Sequence, residues 1–444
     1  MTLNRIQIAL GGILMSLLAL WLVSMPLPGL PWNVFSLRPS LLQGTGMLAM
    51  GVMSVAILLA TRPKVLEPLL GGLDKMYRLH KWLGISALML ACSHWLWIQV
   101  PQWLVEWGWL VRPARVPREP ASNLLLQQLH SLRGAAGGVG EWAFYALVAL
   151  GALALYKRLP YRRFFQTHRV LPVVYLVLIF HAVVLLQDST WTQPVGVVMG
   201  LLMAAGTAAA VVVLFGAVGK GRQALAQVDT VNLHTAAGVL EVTVRLKSRW
   251  SGHQAGQFAF VRFDKSEGAH PFTITSPWLG DGHMVFLIKG LGNYTKKLPS
   301  LLKPGDLLCV EGPYGQFTFM GRKQRQIWVG GGIGITPFVS RLQQLVLLPD
   351  GKTIDFFYTT ASPDDQAFAR LRAAAVAARV NLHVMVDALD GRLNAQRLCT
   401  AVPEWRSADF WFCGPASFGL GLRHDLLAKG IASGDFHQEL FNLR

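Results

Sequence analysis

The chain has 444 residues, 52% of them hydrophobic, a positive mean hydropathy and a formal net charge of +17. The length allows two or three domains, and the apolar excess, almost all of it before residue 218, puts at least one of them in a membrane. Many basic residues (Arg62, Lys64, Lys75, Lys157, Arg158, Arg162, Arg163) flank apolar runs with no nucleic-acid motif, and the four cysteines (Cys92, Cys309, Cys399, Cys413) form no CxxC, which argues against nucleic-acid partners, a disulfide framework, a zinc knuckle and an iron-sulfur cluster.

Six apolar runs predict six spans, at residues 6–25, 41–60, 77–100, 139–156, 163–187 and 195–215. The first follows Arg5 and lacks a small-residue cleavage site after it, so it reads as a span rather than a cleaved signal. The loops after spans two and four are basic, whereas QDSTWTQP after span five has no Lys or Arg. The positive-inside rule therefore puts both termini in the cytoplasm. The loop 101–138 disagrees, because it must face outward yet carries Arg112, Arg115, Arg118 and Arg133. Trp103, Trp107 and Trp109 in the loop, with Trp95 and Trp97 just before, form an interfacial aromatic belt or, alternatively, a mouth for an anionic acceptor.

Span three carries His80 and His94, and span five carries His168 and His181. Histidine is rare inside a bilayer, so each copy needs a reason. Fourteen residues separate the first pair; they advance a helix by about 1400°, within about 40° of whole turns, and by about 21 Å. Both rings thus leave one face near opposite leaflets. The gap of thirteen in span five would put its rings about 140° apart on a straight helix. Pro172, four residues after His168, must remove a helix hydrogen bond and is the expected correction. Spans three and five run the same way, which pairs His80 with His168 in the cytoplasmic leaflet and His94 with His181 in the outer one. Two imidazoles fill both axial positions of an iron, so four histidines point to two stacked haems suited to electron transfer. With the inside negative, an electron moving outward gains about 2.3 kcal/mol per 100 mV. The competing interpretation is four isolated polar residues bonding between helices.

After Gly219-Lys220-Gly221-Arg222 the texture changes. VLEVTVRL, GQFAFVRF, MVFLIKG and DLLCVEG alternate apolar and polar residues and predict a small antiparallel barrel. From Gln326 strands alternate with helices, as in a doubly wound parallel sheet. His270 to Ser276, HPFTITS, offers Thr and Ser hydroxyls to a flavin edge or phosphate and an apolar wall from Pro271 and Phe272. Gly292-Asn293-Tyr294-Thr295 opens a helix whose free N–H groups suit a pyrophosphate, with Lys289 as countercharge, and Gly312-Pro313-Tyr314-Gly315 makes a tight turn. Gly330-Gly331-Gly332-Ile333-Gly334-Ile335-Thr336-Pro337 joins strand to helix, with Pro337 in the first helical turn. Phe412-Cys413-Gly414-Pro415 follows the last core strand, where ligands of parallel sheets bind. Cys413 also has the simpler explanation of core packing.

The order of these motifs, from the two histidine pairs through HPFTITS, GPYG, GGGIGITPF and FCGP, resembles the ferric reductase and NADPH oxidase superfamily of transmembrane flavocytochromes over nearly the whole chain. That resemblance implies a membrane all-α six-helix haem-binding bundle (1–218), a linker (219–225), an antiparallel β-barrel FAD domain (226–324) and a ferredoxin reductase-like, doubly wound α/β NAD(P)H domain (325–444). By the same resemblance His80, His94, His168 and His181 ligate two b-type haems. His270, Pro271, Phe272, Thr273, Ser276, Lys289, Gly292 and Thr295 hold FAD. Gly330, Gly332, Gly334, Thr336 and Pro337 receive the pyrophosphate of NADPH or NADH, and Gly414 and Pro415 flank Cys413 beside the nicotinamide. Phe441 is the aromatic candidate against the flavin, and Arg392 the candidate for a 2′-phosphate.

Two departures bear on the acceptor. The family's oxidases carry an arginine in the second span and a histidine one turn beyond the outer-haem ligand, whereas here 41–60 has no arginine and Ile98 holds the other position. Ser362, Asp364 and Asp365 stand where the family often has an arginine for the 2′-phosphate. The expectation is an inner-membrane oxidoreductase of bacterial type that passes electrons from cytoplasmic NAD(P)H through FAD and two haems to a ferric chelate outside. The rivals are an oxidase making superoxide and a haem-binding sensor or partner module with an inert soluble half.

Overall fold

A computed structural model describes residues 2–24, 33–112, 124–156, 158–235, 237–264 and 267–439. Phe441, Arg115 and Arg118 lie outside the described residues. The chain divides into two compact units, Asn4–Lys64 with Met76–Val218, and Val65–Lys75 with Gly219–Leu443.

The first unit is helical. Its long elements are α1 (Thr2–Ser24), α2 (Val34–Ala60), α4 (Leu73–Glu106), α6 (Arg133–Leu155), the α7–α8 pair (Tyr161–His168 and Leu171–Leu185) and α9 (Pro194–Leu214); α5 (Leu124–Ser131) precedes α6. The short α3 (Leu66–Leu70), and the first residues of α4, belong to the second unit. Six helices among the described residues are long and apolar enough to cross a bilayer, Tyr161–Leu185 counted as one, so this is an integral membrane protein.

Two helices depart from the sequence expectation. Helix α2 begins well before residue 41, because Asn33 Oδ1 accepts from the N–H groups of Phe35 and Ser36 at 2.9 Å and Ser36 Oγ accepts from Asn33 N–H at 2.9 Å, a reciprocal capping box. The extension brings Arg38 and Pro39 into the helix. In span five α7 stops at His168, and Pro172 sits in the first turn of α8, where a missing N–H costs nothing. The chain thus resets between the two histidines instead of bending through them.

In the second unit β1 (Gln223–His234), β2 (Val239–Leu246), β3 (Phe258–Arg262), β4 (His270–Thr273), β5 (His283–Lys289) and β6 (Leu307–Tyr314) pair antiparallel in the order β4-β3-β6-β1-β2-β5. A bridge from Ile274 to Phe286 joins the two ends into a barrel. Burial alternates along β2 and β5, as one-sided strands require, and Val242, Val244, Met284, Phe286 and Val310 fill the interior. Helix α10 (Asn293–Leu301) follows β5.

Strands β7 (Arg325–Gly331), β8 (Thr353–Thr360), β9 (Asn381–Val386), β10 (Ala408–Cys413) and β11 (Phe436–Gln438) form a parallel sheet of order β11-β10-β7-β8-β9. Helices α11 (Thr336–Leu347), α12 (Asp365–Ala377), α13 (Asp387–Asp390), α14 (Ala395–Ala401) and α15 (Ala416–Ala428) connect or follow them. Strand β10 is buried at every residue and β7 at all but its first, the pattern of central strands covered on both faces.

Candidate functional site

The membrane unit brings the four histidines together in pairs. The rings of His80 and His168 are 5.9 Å apart between centroids, and those of His94 and His181 6.3 Å. Two imidazoles flanking one metal at about 2 Å per nitrogen have centroids roughly 6 Å apart, so both pairs fit a bis-histidine iron. The Nδ1–H groups of His80, His94 and His181 donate to the carbonyls of Ala56 (2.8 Å), Leu42 (3.0 Å) and Ala136 (2.8 Å). Fixing Nδ1 to a carbonyl leaves Nε2 as the ligating atom. His168 Nδ1 has no hydrogen-bond partner among the described residues; its ring stacks on Phe164 at 5.1 Å.

His94 and His181 line a cavity of about 420 Å³ together with Met47, Met50, Leu178 and Met203. Gly140 makes room for it, because a Cβ there would run into the His181 ring. The cavity also carries polar side chains that the apolar pattern does not single out, Gln43, Gln99 and Glu141. Glu141 accepts from Tyr145 Oη at 2.7 Å. Arg38 corrects the sequence argument about the second span: the same helix does hold an arginine, whose Nε donates to the Trp97 carbonyl at 3.1 Å. Ile98 lines the cavity one turn after His94.

In the barrel, His270 stacks on Tyr294 at 4.7 Å, which joins the start of β4 to the first turn of α10. Burial lowers the His270 pKa and pushes Tyr294 up to about 12, with Asp264 and Glu267 adding to the latter. Thr295 Oγ1 accepts from Gly292 N–H at 3.0 Å and so closes part of the α10 N-terminus on itself. Lys289 is exposed at the end of β5. Ser276 is committed to the protein: its Oγ accepts from Val285 N–H at 3.1 Å, and its carbonyl accepts from His253 Nε2 (2.9 Å) and Ser340 Oγ (3.1 Å). Thr275 contrasts with it, since its buried Oγ1 has no hydrogen-bond partner among the described residues. An orphaned hydroxyl beside Thr273 and Phe272 fits the polar edge of a flavin.

The glycine-rich turn and the FCGP segment meet. Cys413 is in register with Gly330, a Cβ at Gly331 would lie 2.9 Å from Pro415 Cδ, and one at Gly334 would strike the Cys413 carbonyl. Gly332 has φ +55, a conformation side chains disfavour, and Thr336 and Pro337 are buried in the first turn of α11. A glycine-rich turn at the carboxyl ends of β7 and β10, leading into α11, suits a pyrophosphate. Cys413 is fully buried, and burial together with nearby Glu439 pushes its thiol well up, so it is held as a neutral thiol. Arg392 is exposed in the loop after α13, next to Gly391.

Glu439 is the residue the motifs gave no hint of. It is buried, neither carboxylate oxygen has a partner among the described residues, and burial, then Asp74 and Glu67, push its pKa well up against the opposing pull of Lys75. Beside it the Gly315 N–H donates to Glu67 Oε1 at 2.7 Å, and Arg222 reaches Glu67 Oε2 at 3.3 Å while lying over the Tyr314 ring at 4.6 Å.

Residues 45–179 match the family model of the ferric reductase like transmembrane component, and residues 223–318 match an FAD-binding domain model. Among curated proteins, the flavohemoprotein of Oceanobacillus iheyensis is 28% identical over 162 residues, 34% of this chain and 40% of that protein. That of Bordetella pertussis is 30% identical over 167 residues, 34% of this chain and 41% of that protein. The propane 2-monooxygenase reductase component of Rhodococcus jostii is 28% identical over 113 residues, 25% of this chain and 30% of that protein. The chain thus spans well under half the length of these relatives. Among solved structures, the ferredoxin reductase of carbazole 1,9a-dioxygenase is 20% identical with a TM-score of 0.42, covering 49% of this chain and 69% of its own. Flavohemoglobin from Malassezia yamatoensis is 15% identical with a TM-score of 0.47, covering 92% and 97%.

Proposed function

Because the chain joins a ferric reductase-like transmembrane component to an FAD-binding domain, the architecture of ferric reductases and NADPH oxidases, we propose that it moves electrons from cytoplasmic NAD(P)H, by way of FAD and two b-type haems, to an acceptor on the outer side of a bacterial-type cell membrane, with both termini inside. The observation that carries this reading is the pair of imidazole gaps, 5.9 and 6.3 Å, stacked along two spans. FAD, when bound, would supply hydride acceptance and one-electron release, and the haems would supply one-electron carriage within the membrane unit.

The protein's own part is orientation. His80, His94, His168 and His181 would hold the irons, with the carbonyls of Ala56, Leu42 and Ala136 fixing three of the rings. Thr273, Thr275 and His270 would hold the flavin, assisted by Pro271, Phe272, Lys289, Gly292 and Thr295. Gly330, Gly332, Gly334, Thr336 and Pro337 would cradle the nucleotide, and buried Cys413, with Gly414 and Pro415, excludes water where the hydride leaves.

A ferric chelate is the favoured acceptor. His94 and His181 would both be committed to holding the outer haem, Ile98 offers no proton, and exposed Arg112 heads the basic outer loop. Oxygen is the second reading, and Arg38 in α2 favours it, because a cation on that helix can stabilise a developing superoxide charge. Turnover with NAD(P)H in lipid, comparing air with an anaerobic ferric chelate, separates the two. Failure of both oxidants to sustain turnover of protein loaded with haem and FAD would refute transmembrane electron transfer.

A further inference from the structure

We propose that the nucleotide site selects NADH over NADPH and that Asp364 and Asp365 make the selection. The proposal rests on the reading of the glycine-rich turn as the dinucleotide site.

Strand order fixes which way the nucleotide lies. The pyrophosphate turn ends β7, with β10 and Cys413 on one side and β8, then β9, on the other. A nicotinamide over Cys413 therefore sends the adenosine ribose across the carboxyl ends of β8 and β9. The register agrees, since Gly331 pairs with Thr359 and Thr360 pairs with Val386. The segments leaving those ends, 360–365 and 386–394, carry four carboxylates (Asp364, Asp365, Asp387, Asp390) and one cation, Arg392. A 2′-phosphate bears close to two negative charges, by analogy with a phosphorylated side chain at about −1.5 to −2, and would enter a region whose own formal charge is already negative.

The natural anion site nearby is closed from within. Helix α12 starts here, and its N-terminal donors would otherwise welcome a phosphate. Asp364 Oδ1 already accepts from Ala367 N–H at 2.9 Å, and Asp365 adds a second negative charge to the first turn. Thr360 and Ser362 are turned on each other, with Ser362 N–H donating to Thr360 Oγ1 at 3.2 Å. Asp390 Oδ2 accepts from Val386 N–H at 2.8 Å and closes the end of β9 in the same manner. A ribose 2′-hydroxyl is a donor and suits carboxylate neighbours, whereas a 2′-phosphate only accepts and is repelled. Arg392 works the other way, as does the Arg397 guanidinium, which donates to the Asp390 carbonyl at 2.6 Å, and the two cations still leave the four carboxylates in excess. Arg392 is exposed, and its carbonyl accepts from Arg397 Nη1 at 3.2 Å.

The test uses full-length protein in lipid, loaded with haem and FAD. Single-turnover bleaching of the flavin is followed with NADH and NADPH, and binding of NAD⁺ and NADP⁺ is measured by calorimetry. NADH should win by about tenfold or more in the second-order rate of flavin reduction. In the double variant Asp364→Ser/Asp365→Asn, serine keeps the helix cap while both charges go. The ratio of NAD⁺ to NADP⁺ affinity should then fall by about tenfold. An unmutated protein that takes NADPH as readily as NADH, or an unchanged affinity ratio in the variant, overturns the selection. Binding of neither nucleotide to the loaded protein overturns the dinucleotide reading itself, and the proposal with it.

Discussion

Gly140 of α6 faces His181 of α8 so closely that the imidazole occupies the space a side chain at 140 would need. The outer pair His94–His181 is thus held by an absent Cβ as well as by the Ala136 carbonyl. Gly140→Val should displace the His181 ring and release the outer haem while the inner pair keeps its own, as should His94→Ala. Haem per chain, read from the pyridine haemochrome, should fall from two to about one, and the remaining haem should stay reducible by NAD(P)H. A content near one in the unmutated protein would refute the paired scheme.

Cys413 backs onto Gly334 and is sealed from solvent. If it positions the nicotinamide, Cys413→Ala should slow flavin reduction by about tenfold or more while nucleotide affinity changes little, the split expected from lost orientation. Equal stopped-flow rates would return the thiol to core packing. Arg392→Ala should weaken NADPH more than NADH, and an equal loss for both would place the guanidinium away from the 2′ position.

Glu439, buried and without a hydrogen-bond partner among the described residues, should make stability depend on pH. Its folded pKa is raised, so it favours the folded state fully below the unfolded pKa of about 4.3, and that advantage is lost as pH climbs toward the folded value. Glu439→Gln should therefore melt higher than the unmutated protein at pH 8, by an amount corresponding to about 1–3 kcal/mol, and match it near pH 4. Thermal melts of FAD-free protein across that range provide the measurement. A difference independent of pH would mean the carboxyl is already ionised or paired.

Arg112 and its neighbours in the outer loop should concentrate anionic ferric chelates. Reduction of ferric citrate should outpace oxygen consumption at low salt, and the preference should shrink as the screening length drops from about 30 Å at 0.01 M to about 3 Å at 1 M. Superoxide-dismutase-sensitive turnover in air that equals the iron rate would favour the Arg38 reading. Arg38→Ala would then lower the oxygen rate selectively.

The spans were legible as long apolar runs, β2, β3, β5 and β6 by their alternation, and GGGIG by its place between strand and helix, whereas β1 begins at Gln223 inside the stretch expected to be a linker. What escaped has no period. The start of α2 depends on a polar cap at Asn33 lying outside the apolar run, so the run 41–60 alone leaves Arg38 out of the span. Thr275 differs from Ser276 only in which hydroxyl the barrel leaves unused. Glu439 is one carboxyl near the C-terminus, and only tertiary packing turns it into a buried group whose protonated form is favoured.

Glu67 stands 248 residues before Gly315, whose N–H it accepts, and it also receives Arg222. A cut after Val218 should therefore lower the stability of the second unit. It strips the second unit of Val65–Lys75 and leaves the Gly315 amide and the Arg222 guanidinium without their shared carboxylate. Gene fusions and domain swaps in this protein have to carry that short stretch across as a graft.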